Sequence, residues 1–125
     1  MHDNDIDYMT SAYRMLYEVE TLLKYNVHSA LFRKRGWKWE EHATFKKPLD
    51  EMYFPEVLSL YEKHPLFMYY FDYKELSFLL SLKPIRNDIA HMKVITSEEY
   101  NLLVKSFQTV KEKFNAQKHT HKVPS

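Results

Sequence analysis

Apolar residues recur at Met9, Ala12, Tyr13, Leu16, Val19, Leu22, Leu23, Val27, Ala30 and Leu31, in steps of three and four that draw one stripe along a helix. Asp3, Asp5 and Asp7 precede the stripe, and Arg33, Lys34 and Arg35 close it, the charge order that a helix dipole favours. Gly36 then supplies a left-handed stop, so the pattern predicts a first helix from about Asp7 to Lys34. From Trp37 to Phe54 polarity is mixed and Pro48 intervenes, which reads as a long connection with room for a helical turn. Pro55 suits a first turn, and Val57, Leu58 and Tyr61 give a short apolar face that Pro65 ends.

Asp72 with Glu75 has the form of a capping box, followed by Leu76, Leu79 and Leu80 as the buried face of a third helix that fades before Pro84. "PIRNDIAHM" reads either as a fourth helix, with Ile85 and Ile89 inward, or as a kinked continuation of the third. Thr96 with Glu99 repeats the capping signal. Tyr100, Leu103, Val104, Phe107, Val110 and Phe114 then mark a last helix to about Gln117, with a polar, frayed tail expected over 118–125. No segment alternates with period two, so the expected fold is an all-α bundle of four to five helices in one domain over 1–125.

Composition narrows the chemistry. A single glycine argues against a sheet of tight hairpins, and the absence of cysteine removes disulfides, thiol catalysis and cysteine-based metal sites, with a cytoplasmic protein the simplest expectation. No Gly-rich phosphate loop, serine elbow or dinucleotide fingerprint occurs, and no cofactor is expected. The acidic start is unlike a signal peptide, and no apolar run reaches the roughly 18 residues that a membrane span needs. A net charge of +1 offers no global attraction for nucleic acid, so such binding has to come from local patches. Aromatic residues make up 16% of the chain, enough for buried rings and a self-association surface as well.

Arg86, Asn87 and His91 are the polar residues that the apolar pattern does not explain. On a helix Asn87 and His91 share a face, while Arg86 stands about 140° around the axis from His91. Two copies of such a helix meeting about a two-fold axis would gather two Arg, two Asn and two His in one cleft. That set suits metal-independent RNA cleavage: imidazole exchanges protons near neutral pH and guanidinium stabilises charge on a phosphate. The plainer alternative makes Arg86 a solvated residue and His91 a packed one.

"LSLKPIRNDIAHMKVIT" resembles the motif of the HEPN superfamily, in which an arginine, commonly followed by asparagine, precedes a histidine by four to six residues on a helix of an α-bundle. Leucines lead in, and Ile89 and Ala90 are expected to pack inward. "YEVETLLKYNVHSALFRKRGWKW" is similar to the long first helix of HEPN domains of the surveillance-endonuclease and abortive-infection type, and "YFDYKELSFLL" to their middle helix. The resemblance implies an endoribonuclease with Arg86 and His91 catalytic and Asn87 orienting or contacting phosphate. It further implies a homodimer with a composite site and, by analogy, a toxin or antiphage module restrained by an antitoxin protein. A catalytically silent HEPN module for dimerisation, nucleotide binding or protein interaction is the alternative, and a plain helical adaptor is a further one. Lys93 is an added candidate for phosphate contact.

Elsewhere the residues read more plainly. Arg33, Lys34, Arg35 and Lys38 with Trp37 and Trp39 suit either RNA stacking or a helix end with two rings docked on the core, the second being favoured. His119 and His121 lack a third ligand type, so no metal site is expected there, and His28 and His64 read as structural or surface residues.

Overall fold

The computed structural model of the chain describes residues 3–36, 38–39 and 45–120. These form an all-helical bundle: α1 (Asp3–Arg35), a 3-10 turn (Leu49–Glu51), α2 (Phe54–Lys63), α3 (Tyr73–Leu80), α4 (Leu82–Ala90) and α5 (Ser97–Thr120). No strand occurs among the described residues. No helix among them is long and apolar enough to cross a membrane.

α1 starts earlier than the apolar stripe suggests, because its first turns carry the acidic residues instead of following them. It stops where expected. Gly36 takes a φ of 80° and its N–H donates to the Phe32 carbonyl at 2.8 Å. Ala12, Met15, Leu16, Val19, Leu23, Val27 and Leu31 are buried. Tyr13 is not. It is 59% exposed and stacks on Tyr17, correcting the stripe by moving its edge to the outer face.

The local signals at the other helices hold. Pro55 lies in the first turn of α2, and Phe54, Val57, Leu58 and Tyr61 are its buried face. Asp72 Oδ1 accepts from the Glu75 N–H at 2.7 Å while the Asp72 N–H donates to Glu75 Oε1 at 2.9 Å. Thr96 and Glu99 make the same exchange at the head of α5. α3 and α4 are joined through Ser81 alone, which keeps right-handed helical dihedrals. Pro84 lies in the first turn of α4, where its missing N–H costs no helical bond, so the segment forms the separate fourth helix read from the sequence. α5 runs to Thr120, past the expected end at Gln117, while 121–125 lie outside the described residues.

The bundle is organised around α1, which packs along α5 and also against α2 and α4. Tyr8 and Tyr100 stack at 4.6 Å, and Tyr8 Oη donates to the Thr96 carbonyl at 2.8 Å, so the two long helices begin at the same end. Two large core residues, Phe67 and Phe71, come from the irregular link between α2 and α3. Trp39 is 3% exposed and sits edge-on to His28 and Phe45, which settles its reading as a docked ring; Trp37 lies outside the described residues.

Candidate active site at the end of the fourth helix

Leu82, Ile85 and Ile89 are the buried residues of α4, and their burial fixes the rotation of the helix. Arg86, one position beyond Ile85, therefore falls on the flank facing α1. There its Nε donates to Glu20 Oε1 at 3.4 Å, with the two side chains 29% and 23% exposed. At that length and exposure the pair contributes about 1 kcal/mol or less. It orients the guanidinium all the same, since no other described residue is hydrogen-bonded to it and its terminal amino groups remain open.

His91 stands just beyond the helix as its C-cap, with φ −95° and ψ 12°, its N–H donating to the Asn87 carbonyl. Met92 follows in the left-handed region at φ 59°. Its N–H reaches the Ile89 carbonyl at 3.0 Å, and the Lys93 N–H reaches the Asp88 carbonyl at 2.8 Å. These are the two bonds of a Schellman cap, here built with methionine where glycine is the unstrained choice. A side chain in that backbone region costs about 1 kcal/mol. The turn leaves the imidazole at a corner of the surface.

Asn87, His91 and Lys93 are all exposed, and among the described residues none of the three side chains is held by a hydrogen bond or ion pair. Ala90 is exposed too, which corrects the expectation that it packs inward: α4 buries a narrow face centred on Ile85 and Ile89, and Ala90 turns past its edge. Met92 (81% exposed) and Val94 (50% exposed) extend an apolar rim around His91.

Within one chain, then, the structure does not bring the four sequence-predicted residues together. Arg86 opens onto a cleft of about 580 Å³ between α1, α4 and the segment leading into α2, and His91 does not line it. Glu20, Lys24, Lys47 and Tyr53 do line it, and the sequence reading did not single them out. Glu20 and Lys24 had one local signal, a charged pair four residues apart on the side of α1 that the buried stripe leaves out. Lys47 joins Glu56 Oε1 at 2.7 Å and lies 4.4 Å above the Tyr53 ring. That bond, with the Tyr53 backbone N–H, holds the Glu56 carboxyl below its ordinary pKa. Among the described residues no three His, Cys, Asp or Glu side chains are grouped as a metal would need.

No family model, curated protein or solved structure matches the chain.

Proposed function

We propose that the protein is a metal-independent endoribonuclease of HEPN type that acts as a homodimer. The observation that carries this reading is the economy of α4. Its apolar residues do the packing, while Asn87, His91 and Lys93 stand unpartnered among the described residues and Arg86 is tethered only by its Nε. Unmatched hydrogen-bonding groups along one short helix and the turn that follows it are available to a ligand in a way that satisfied packing residues are not.

The separation of Arg86 from His91 within the chain supports a composite site, in which the arginine of one protomer works beside the histidine of the other. The exposed Ala90, Met92 and Val94 give a second copy an apolar rim to cover. In the step itself the 2′-hydroxyl of an unstacked ribose attacks the adjacent phosphorus as it loses its proton. The phosphorus–O5′ bond breaks, and the departing 5′-oxygen takes up a proton. The products are a 2′,3′-cyclic phosphate and a 5′-hydroxyl. His91 supplies proton exchange, Arg86 stabilises charge on the non-bridging oxygens, and Asn87 and Lys93 orient or contact the phosphate. The role of a toxin or defence module held by an antitoxin follows from the family likeness alone.

The test is cleavage of single-stranded RNA in chelator by the parent and by Arg86→Ala and His91→Ala, with oligomeric state measured alongside. Losses of about a hundredfold or more are expected in both variants with the dimer intact. An equimolar mixture of the two variants should regain about a quarter of the parent activity, since half the dimers then carry one intact cross-subunit pair. Cleavage at the parent rate in both variants would overturn the assignment. A catalytically silent dimerisation module is the second reading, favoured by the hold of Glu20 on Arg86. It predicts a dimer with no cleavage.

A further inference from the structure

We infer that the cleft beside Arg86 is a binding subsite for one nucleotide of single-stranded RNA, with the phosphate between Lys24 and Arg86 and the base on Tyr53. The inference deepens the ribonuclease reading by naming where the strand lies next to the scissile bond.

Three observations carry it. First, the volume of about 580 Å³ is open and of a size that takes a small ligand. Second, the cations that line it are not equally engaged. Lys47 is closed off by Glu56 at 2.7 Å, whereas Lys24 makes no hydrogen bond among the described residues and Arg86 offers its terminal amino groups, leaving two donors to grip one phosphate. Third, Tyr53 lines the cleft with 63% of its surface exposed, and Lys47 stands over its ring. Lys47 covers one face of the ring, and at this exposure the other face is a stacking platform that any base can use.

The carboxylates settle what kind of nucleotide fits. Glu20, Asp50 and Glu51 offset the charge of Lys24, Lys47 and Arg86, so the cleft has no surplus positive field to draw in a long polyanion. A carboxylate accepts from the exocyclic amino groups and ring N–H of a base and from a ribose 2′-hydroxyl. The subsite therefore holds one phosphate weakly, prefers ribose to deoxyribose, and prefers a base that donates, guanine above uracil.

The experiment measures binding, not cleavage. The full-length His91→Ala protein, in chelator, is titrated into 5′-fluorescein-labelled RNA hexamers and a DNA hexamer of matching sequence, reading anisotropy. RNA with guanine is expected to bind better than RNA with uracil alone and better than DNA. The slope of log affinity on log salt is expected near −0.7, the value for about one phosphate contact on a single strand. Tyr53→Leu should weaken binding about fivefold or more while Tyr53→Phe keeps it. Lys24→Ala should lower affinity for all sequences alike and make the salt slope shallower, Arg86 being left as the one cation on the phosphate. No RNA binding, or binding that Tyr53→Leu and Lys24→Ala leave unchanged, overturns the inference. The two proposals part cleanly. RNA cut by the parent, with binding indifferent to Tyr53 and Lys24, defeats the subsite and leaves the ribonuclease reading standing. RNA held through Tyr53 and Lys24 but never cut does the reverse.

Discussion

α1 meets polar side chains of α2 and of α4, and the protein treats the two junctions in opposite ways. Against α2, the Tyr61 hydroxyl is buried, donates to the Leu23 carbonyl at 2.7 Å and accepts from Asn26 Nδ2 at 3.0 Å. Burial drives the Tyr61 pKa upward, so the hydroxyl keeps its proton and the donor role with it. Against α4, Glu20 touches only the Nε of Arg86, over a longer distance and at the edge of an open cleft. The junction is closed and its groups are consumed by folding. The α4 side is left unfinished, and chemistry with an outside molecule can only use groups that folding has not already matched.

The hardest blow to the closed junction is Tyr61→Ala. It should cost about 3–5 kcal/mol in urea unfolding, because it opens a cavity beside Phe67 and Phe71 and strands the Asn26 amide. On the open side Asn87→Ala should stay within about 0.5 kcal/mol. Equal costs at the two positions would erase the contrast. Tyr61→Phe isolates the polar part. It keeps the ring but removes the acceptor of Asn26 and the donor to Leu23, and about 1–3 kcal/mol should go. The double variant Tyr61→Phe with Asn26→Leu should recover part of that loss, since no donor is then left buried alone.

How much of this was legible in the sequence follows the range of each interaction. Asp72 with Glu75 and Thr96 with Glu99 are contacts three residues apart, and both were readable as capping boxes. Gly36 was readable because a left-handed helix stop is a local matter. The same stop after His91 was hidden, since Met92 occupies the place where glycine would announce it. Tyr13 was misassigned because a period of 3.6 locates the centre of a buried stripe better than its edges, and Ala90 failed for the same reason. Phe67 and Phe71 belong to no helix, so no period reveals their burial. Tyr61 is 35 residues from Asn26, and Arg86 is 66 from Glu20, separations across which a single sequence carries no signal of contact. The motif residues Arg86, Asn87 and His91 were legible as types at a spacing. Their division between a cleft and a surface corner needed the rotation of α4.

A smaller effect sharpens the open side. Met92→Gly should stabilise the chain by about 1 kcal/mol, read as a higher urea midpoint, because glycine takes the left-handed conformation without a Cβ conflict. The substitution also strips an apolar side chain from the rim around His91. If Met92 serves the dimer, Met92→Gly will give a more stable protein that associates less tightly, seen as a shift toward monomer on dilution. A variant that is both more stable and equally dimeric would remove Met92 from the interface and leave its strain without a function.

The smallest effect separates two histidines in different settings, a half-buried one and an exposed one. His64 Nδ1 accepts the Leu66 N–H at 3.1 Å, and the ring packs on Phe45 and Phe67, so this imidazole belongs to the closed side while His91 belongs to the open one. Burial, and secondarily the charge of Arg35, lowers the His64 pKa below its ordinary value of 6.5. The unfolded chain therefore takes up this proton first as the pH falls. Stability from a neutral His64 is complete above about 6.5 and is lost as pH drops through the lower folded value. Urea midpoints should thus decline from pH 7.5 to 5.5, and His64→Asn should flatten part of that decline, since Asn Oδ1 can accept the Leu66 N–H without titrating. A His64→Asn profile parallel to the parent's would mean that the protonated ring is accommodated where it stands, and that this end of the bundle is less closed than its packing suggests.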